Sequence, residues 1–403
     1  MRMFVAGVLG MCVLLSAAGT RAEEQIEPVL EPNEDVLAVL DGLGENQSAM
    51  LPAATIAGDF NDESRRHGLD ETGPRGRNFC QKAAWAPDRK RALFCGANHG
   101  VPHRLNDVWE YDLPSNTWYL LYAPDPSFDR NNREAFQAEQ EERTHRIEPP
   151  DGEVEEVTII HTKRGGPGRV AHTYWQLTYD PQLRVLLWLM PNGPHDPPMW
   201  GFYPQERRWE PVLYHGPRPS RGGAGAMEYI EDMGGVVWHN NTSRARGMRL
   251  FPSDENVVRN LAPNDGNLRD NPNFPGAQAI LSYDPEHRIL VALWSKKTYH
   301  YEVDKNAWSL ILDEPDDSES SPSGHYGHAA FGYDPVGKVH LRYDVNTPDS
   351  VWAYDVEKQE WERKRVDGPA GPTGNIIGYM DPARNVLVIN DRRDVWVYRY
   401  KNE

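Results

Sequence analysis

A pair of aromatic residues nine positions apart recurs along this chain, each time around a short polar turn. Four copies are found: Trp109 with Trp118, Trp200 with Trp209, Tyr299 with Trp308, and Trp352 with Trp361. Self-similarity of this kind predicts one supersecondary unit built several times, so it restricts the chain to a repeat architecture. Because the spacing recurs, we interpret these rings as packing residues of a repeated sheet and not as an aromatic binding site.

A second motif, Tyr-Asp-Pro or a variant of it, occurs six times and is followed each time by an apolar run such as RVLLWLM or NVLVIN. These runs are rich in β-branched and aromatic residues and bounded by turn formers, which predicts buried strands. The anchor residues of the motif, spaced 94, 50, 54, 50 and 46 positions apart, are Trp85, Tyr179, Tyr229, Tyr283, Tyr333 and Tyr379. We expect the tyrosines to pack between units and the aspartates to cap turns, with no chemical role.

One unit is therefore about 50 residues long and holds four antiparallel strands. A four-stranded meander of that length cannot bury both its faces, whereas six of them stacked radially can, and 13 tryptophans supply a sizeable core. The pattern predicts an all-β, six-bladed β-propeller of four-stranded antiparallel blades. The last unit has only three strands, so we expect residues 47–56 to supply its outer strand and close the ring.

The repeat motifs resemble those of the kelch-repeat family, which includes the propeller domain of galactose oxidase. The matching residues are 106–112 (NDVWEYD) with Trp118, 350–355 (SVWAYD) with Trp361, and 328–335 (HAAFGYDP). The resemblance implies a kelch-like propeller. The copper-radical chemistry of galactose oxidase is not expected, because it needs a cysteine cross-linked to a tyrosine.

The resemblance extends over roughly residues 78–400 and has two departures. The double glycine that the family places after the second strand is missing from most units. The third unit, around residues 248–257, has also lost its aromatic pair.

The first 22 residues have the pattern of a secretory signal peptide. Arg2 precedes an apolar run over residues 3–15, and Thr20 and Ala22 occupy the small-residue positions of a cleavage site. We therefore expect a secreted or periplasmic protein without a membrane span after cleavage. Residues 23–45 are acidic and predict a flexible lead-in, with one or two helical turns over residues 36–43 as an alternative, and residues 46–403 are expected to form the propeller.

Charge and cysteine content limit the partners and the redox state. The formal net charge of −17 repels phosphate backbones, so we expect no nucleic-acid partner. Cys80 and Cys95 remain after signal cleavage, and an even pair in an exported protein suggests a disulfide. A two-residue loop at Pro87-Asp88 would place the two cysteines opposite each other, whereas a four-residue loop would make them diagonal. We favour the disulfide over two buried thiols.

An insertion over residues 126–164 interrupts the repeat between the first and second units. Within it, residues 132–146 favour a helix by propensity and residues 153–163 favour a strand or hairpin. Insertions in repeat proteins often carry function, but a surface loop without function is an equal alternative.

Histidine, arginine and tyrosine concentrate in two kinds of connection, those between second and third strands and those between units. In kelch-like propellers these connections share one face. The residues expected to bind a ligand there are His99, His103, Arg169, His172, His195, Arg221, His325, Tyr326 and His328. Aromatic rings stack on sugars, and Arg and His donate to hydroxyls or carboxylates, so we expect an extracellular glycan or protein ligand.

The same residues allow a different activity, a polysaccharide lyase that eliminates across a uronate. His172, Tyr174 and His328 would then supply acid and base, and Arg221 would neutralise the carboxylate. A third interpretation is that His325 and His328 bind a metal ion. Two histidines alone are far from sufficient for a metal site, so we expect no bound metal. Residues 264–273 (NDGNLRDNPN) could hold calcium, but a polar turn is the better interpretation.

Overall fold

The computed structural model describes residues 30–77, 80–96, 105–126, 133–148, 152–168, 170, 173–189, 199–216, 224–242, 246–262, 268, 271–315, 318–324 and 329–402. Six blades of four antiparallel strands form an all-β propeller, which confirms the predicted fold class, and the sheet of blade 1 carries a fifth strand added in parallel at its outer edge. Each blade runs outward in chain order from its innermost strand, except that the sixth takes its outermost strand from the N-terminal region.

The strands coincide with the apolar runs and aromatic pairs of the repeat. Before blade 1 lie α1 (Glu34–Gly42), β1 (Gln47–Met50), β2 (Thr55–Gly58), α2 (Asp62–Arg66) and α3 (Leu69–Thr72). Blade 1 contains β3 (Ala84–Ala86), β4 (Arg91–Cys95), β5 (Val108–Asp112) and β6 (Thr117–Tyr122); the insertion contains α4 (Arg133–Ala138), β7 (Gln140–Ile147) and β8 (Glu155–Thr162). Blade 2 contains β9 (Leu177–Asp180), β10 (Val185–Trp188), β11 (Met199–Tyr203) and β12 (Arg208–Val212).

The second half of the ring repeats the same order. Blade 3 contains β13 (Ala226–Ile230), β14 (Gly235–Asn241), β15 (Arg246–Pro252) and β16 (Arg259–Leu261). Blade 4 contains β17 (Ile280–Asp284), β18 (Ile289–Trp294), β19 (Lys297–Glu302) and β20 (Ala307–Asp313). Blade 5 contains β21 (Ala329–Asp334), β22 (Val339–Asp344), β23 (Ser350–Asp355) and β24 (Glu360–Arg365). Blade 6 contains β25 (Ile377–Asp381), β26 (Val386–Asp391) and β27 (Asp394–Arg399).

The N-terminal region closes the ring, as predicted, but through two strands and not one. Strand β1 pairs antiparallel with β27, with Gln47 opposite Arg399, and so completes blade 6. Strand β2 crosses to blade 1 and pairs parallel with β6, with Thr55 opposite Thr117. Leu51 and Ala54 are buried between the two strands. One segment therefore joins the last blade to the first.

The aromatic pairs connect neighbouring blades. The tryptophan of the fourth strand packs in a tilted or edge-on arrangement against the aromatic residue two positions after its pair partner in the third strand, with centroids 4.8 to 5.4 Å apart. Its indole Nε1 then donates to the preceding blade: Trp118 to Asn390 Oδ1, Trp209 to the carbonyl of Asn106, Trp308 to Met248 Sδ, and Trp361 to Thr298 Oγ1. The packing role predicted for these rings is confirmed.

The Tyr-Asp-Pro turns have the capping geometry expected of them. Asp180 Oδ1 accepts from the backbone N–H of Gln182 and Leu183 in blade 2, and Asp284, Asp334 and Asp381 accept from backbone N–H groups in the turns of blades 4, 5 and 6. In blade 1 the turn is four residues long, because Ala86 lies opposite Arg91.

That register makes the cysteines diagonal, and both are buried free thiols. Cys80 lies outside β3, and its Sγ donates to the carbonyl oxygen of Cys95 at 3.1 Å. Burial raises the pKa of the Cys80 thiol to about 12. The predicted disulfide is therefore absent from this structure, and the alternative of two buried thiols is the one observed.

The segments outside the repeat are ordered by packing. Helix α1 lies in the region predicted to be a flexible lead-in and buries Val36 and Leu40, and Asn33 caps its first turn. In the insertion the predicted helix is limited to α4, because β7 pairs over its whole length with β8. The hairpin buries Ile147, Ile159 and Ile160, so tertiary contacts override helix propensity there. Among the described residues no helix is long and apolar enough to cross a membrane.

Candidate functional site

Connections in an antiparallel meander alternate between its two ends. The loop face of this propeller carries the connections between second and third strands and those between blades. The turn face carries the Tyr-Asp-Pro turns and the turns between third and fourth strands. All nine residues predicted to bind a ligand lie outside the described residues: His99, His103, Arg169, His172, His195, Arg221, His325, Tyr326 and His328. Most of residues 264–273 also lie outside them.

Tyr174, one of the residues of the lyase alternative, is described, and so are two further histidines, His239 and His215. Tyr174 is half-buried beside Cys80, and burial raises its pKa, which opposes the tyrosinate that a catalytic base requires. His239 belongs to β14 and is fully buried against Phe274, and burial lowers its pKa to about 4. These environments give His239 a packing role. His215 lies 3.9 Å from Glu155 of the insertion hairpin.

The described part of the loop face contains a cavity of about 340 Å³ at the junction of blades 6 and 1, here called the loop-face pocket. Sequence reasoning missed it because its residues come from segments distant in the chain. The lining comes from the turn after α2, helix α3, the segment before β3, the β4–β5 connection, the segment before β25 and the β26–β27 connection. Its residues are His67, Leu69, Pro74, Arg75, Gly76, Arg77, Leu105, Gly374, Asn375, Asp391 and Arg392. The packing is close, since a Cβ at Gly76 would lie 1.4 Å from the carbonyl oxygen of Asn375.

The cations of the loop-face pocket differ in their partners. Arg77 is buried and donates to Asp107 at 2.6 Å, so its charge is neutralised inside the protein. Arg75 donates through Nε to Thr72 Oγ1 at 3.0 Å, which leaves its charge in place. Arg392 is exposed, and no ion pair between described residues involves Arg75 or Arg392.

The loop-face pocket has fewer available carboxylates than available guanidinium groups. Burial raises the pKa of Asp391, an effect that Arg392 beside it partly opposes. His67 Nε2 lies 3.1 Å from Glu63 Oε1, so that histidine has a carboxylate partner of its own. The lining of the pocket therefore includes two arginines without an ion-pair partner among the described residues, Arg75 and Arg392, and one desolvated carboxyl, that of Asp391.

The turn face contains a second cavity, of about 350 Å³, where the central channel opens, here called the axial cavity. The anchor aromatics of all six blades line its wall, together with Phe331 and Met380. Its rim is formed by the prolines of five turns, namely Pro87, Pro181, Pro285, Pro335 and Pro382. Four of these prolines are exposed, which shows that the cavity opens to solvent on this side.

The anchor aromatics lean between blades and contact the turn before their own. Tyr283 donates to Asp232 Oδ2, and Tyr229 accepts from Gln182 Nε2 at 3.0 Å. Trp85 stacks on Tyr379 across the junction of blades 1 and 6, with centroids 6.1 Å apart. The hydroxyl groups of Tyr229 and Tyr283 are thus directed to neighbouring turns, and the aromatic anchors contribute to the cavity wall.

Two charged residues lie at the floor of the axial cavity. Lys82 Nζ of blade 1 donates to Glu228 Oε2 of blade 3 at 2.5 Å and to the carbonyl of Met227 at 2.8 Å. Lys82 also lies 5.8 Å from the Trp175 ring. Burial raises the pKa of Glu228, and the Lys82 ammonium acts in the opposite direction. Beside them, Ser282 Oγ is 2.9 Å from His340 Nδ1.

A signal for this floor was present in the repeat alignment. The residue before each anchor is small in five blades: Ala84, Thr178, Ser282, Gly332 and Gly378. In blade 3 the residue before the anchor is Glu228. A different position, three residues before the anchor, is occupied by Lys82 in blade 1 and by uncharged residues in the other five blades. These two charged residues distinguish blades 1 and 3 from the other blades at positions that are otherwise small or uncharged.

No group of three or more His, Cys, Asp or Glu side chains able to hold a metal ion occurs in the described ranges.

Comparison with known proteins supports the fold alone. No protein-family profile matches the chain, and no curated protein matches it. An auxiliary nutrient-binding protein from Bacteroides thetaiotaomicron is similar over 88% of this chain and 78% of its own, with a TM-score of 0.50 and 9% identity. A gluconolactonase from Xanthomonas campestris matches over 81% of this chain and 87% of its own, with a TM-score of 0.42 and 10% identity. The chain is a six-bladed β-propeller. Membership of the kelch family stays a prediction.

Proposed function

We propose that this chain is an exported, kelch-like propeller that recognises an acidic glycan through its loop face, with the loop-face pocket as one contact point. The observation that carries the proposal is the pair of guanidinium groups, Arg75 and Arg392, at the junction of blades 6 and 1. The signal-peptide pattern of residues 1–22 supports export.

Guanidinium groups favour a carboxylated ligand. Arginine presents a planar fork of N–H donors that matches a carboxylate, and such charge-assisted hydrogen bonds are about twice as strong as neutral ones. A uronate group seated between Arg75 and Arg392 would therefore gain two such contacts. A volume of about 340 Å³ accommodates a single sugar unit, with the polymer extending across the face.

The surrounding charge makes this contact selective. The chain carries a formal net charge of −17, so an anionic polymer is repelled from most of its surface. Attraction is then confined to local cationic sites. Binding should weaken as salt is added, because the contact is electrostatic and exposed.

The test compares an anionic with a neutral polysaccharide in affinity gels, polygalacturonate against dextran, using the full mature chain. We expect polygalacturonate to retard the wild type, and Arg75→Gln with Arg392→Gln to remove most of the retardation. The matched control is Arg365→Gln, an arginine of β24 whose side chain is 86% exposed and lies away from the pocket. It should migrate like the wild type.

Equal retardation of the wild type and the Arg75→Gln, Arg392→Gln variant would contradict the proposal. So would retardation by dextran alone. New double-bond absorbance on incubation with polygalacturonate would favour the lyase alternative, in which His172, Tyr174, His328 and Arg221 act.

A further inference from the structure

The axial cavity on the turn face is a second cavity, separate from the loop-face pocket. Its floor contains the ion pair of Lys82 and Glu228, which come from blades 1 and 3. The Glu228 side chain is 23% exposed and that of Lys82 is 10% exposed, so a molecule in the cavity can reach the Glu228 side chain.

The floor combines donors with acceptors and carries no net charge. Lys82 supplies ammonium N–H donors, Glu228 supplies carboxylate acceptors, and the hydroxyl groups of Thr178 and Ser282 can do both. A ligand with a single net charge would neutralise one member of the ion pair and leave the other uncompensated in a partly buried site, which is costly. Neutral hydroxyl groups can accept from Lys82 and donate to Glu228 without that cost.

The wall favours a ligand with flat apolar faces. Ring carbons of the anchor aromatics surround the cavity, and the turn prolines narrow its entrance. Aromatic rings pack well against the C–H faces of a sugar ring while its hydroxyl groups remain free for hydrogen bonds. A volume of about 350 Å³ lies at the lower end of the range for small-molecule sites, which fits one ring and not a chain.

We propose that the axial cavity binds a neutral monosaccharide, held by hydroxyl hydrogen bonds to Lys82 and Glu228 and by stacking against the anchor aromatics. This site is independent of the acidic-glycan contact on the loop face. Its ligand differs in charge, and it enters from the opposite end of the propeller.

The test measures binding of glucose, galactose, mannose and N-acetylglucosamine to the mature chain by titration calorimetry. We expect at least one of them to bind with a stoichiometry of one. The variant Lys82→Met with Glu228→Leu keeps side-chain volume and removes the polar floor, so binding should weaken at least about tenfold. The control Lys338→Met with Glu286→Leu removes an exposed ion pair of the same residue types, at 2.6 Å in the turns of blades 5 and 4, and should bind like the wild type.

A second variant tests ligand specificity. Its expected result is a change of the preferred ligand and not a loss of binding. Glu228→Gln keeps the shape of the floor but leaves the Lys82 charge uncompensated. The preference should therefore shift from the neutral hexose to the corresponding uronic acid, for example from glucose to glucuronate. Arg75→Gln with Arg392→Gln should leave hexose binding unchanged, which separates this site from the loop-face pocket.

Three results would overturn the proposal. The first is that none of the four sugars binds the wild type in the millimolar range. The second is that a folded Lys82→Met, Glu228→Leu variant binds the hexose as tightly as the wild type. The third is that Glu228→Gln shows no shift toward the uronic acid.

Discussion

The indole Nε1 of Trp118, in the outermost strand of the blade 1 repeat, donates to Asn390 Oδ1 in the second strand of blade 6 at 3.3 Å. The two residues are 272 positions apart in the chain. The hydrogen bond therefore crosses the junction at which the ring closes. Both residues are fully buried, so the contact is shielded from water.

Trp118→Phe tests this junction contact. Phenylalanine keeps most of the apolar packing against Tyr111 but cannot donate, so Asn390 loses a buried partner. We expect the free energy of unfolding to fall by about 1–3 kcal/mol, measured by urea denaturation. Trp361→Phe, at the equivalent position in blade 5, is the comparison, because its ring is partly exposed and water can replace part of the lost bond. A smaller effect at position 118 than at 361 would contradict this account.

Deletion of residues 45–58 tests ring closure. It removes β1 and β2 together, so β27 loses its outer partner and blades 6 and 1 lose the segment that joins them. The melting temperature should fall sharply, measured by the loss of the far-ultraviolet signal on heating. An unchanged melting temperature would show that the ring closes without this segment.

The repeat motifs were enough to predict blade number, strand number and N-terminal closure. This worked because the same local chemistry recurs around the ring. An apolar strand follows the tight turn and an aromatic anchor packs between blades, and in blades 2, 4, 5 and 6 an aspartate caps the turn. Errors arose where the pattern does not repeat. Residues 47–56 contain two short strands, because the chain turns at Pro52 to reach the next blade. Residues 140–147 are polar and favour helix, yet pairing with β8 makes them a strand.

The candidate sites could be predicted only in part, for a physical reason. The loop-face pocket brings together His67, Arg75, Leu105 and Arg392, whose proximity depends on how the ring closes and has no local motif. The floor of the axial cavity does have a signal in the sequence. Lys82 and Glu228 are charged, whereas the equivalent residues of the other blades are small or uncharged. Detecting it requires the strand register, which comes from knowing that the anchor aromatics occupy equivalent places in all six blades.

The two buried thiols lead to a prediction about reducing agents. Cys80 and Cys95 are unpaired with each other, so dithiothreitol should leave the melting temperature unchanged. A thiol reagent should label neither cysteine in the folded protein, because both are fully buried, and should label both after unfolding in urea. A fall in the melting temperature on reduction, or no labelling after unfolding, would show that the disulfide forms.

Buried neutral histidines predict loss of stability in acid. Burial lowers the pKa of His239 to about 4, and that of His161 and His300 to about 4 as well. Below the ordinary pKa of 6.5 the unfolded chain binds protons that the folded chain excludes. Each of these histidines therefore contributes to a decrease in the free energy of unfolding as the pH falls from 6.5 toward 4.

His239→Phe isolates one of these contributions. Phenylalanine preserves the ring packing against Phe274 and Trp308, and the carbonyl of Pro275 keeps Asn241 Nδ2 as a donor at 3.0 Å. Between pH 7 and pH 5 the free energy of unfolding should fall by about 1–2 kcal/mol less in the variant than in the wild type. Urea denaturation at each pH measures this difference.

His287→Gln provides a control of opposite sign. A hydrogen bond to Asp284 raises the pKa of His287, so its stabilising contribution is present at low pH and is lost as the pH rises through that pKa. Removing it should make the decrease in stability toward acid steeper, whereas His239→Phe should make it shallower. If the pH dependence of the free energy of unfolding changed in the same direction in both variants, both would report a general effect of losing a histidine. That result would contradict the conclusion that His239 is buried in its neutral form.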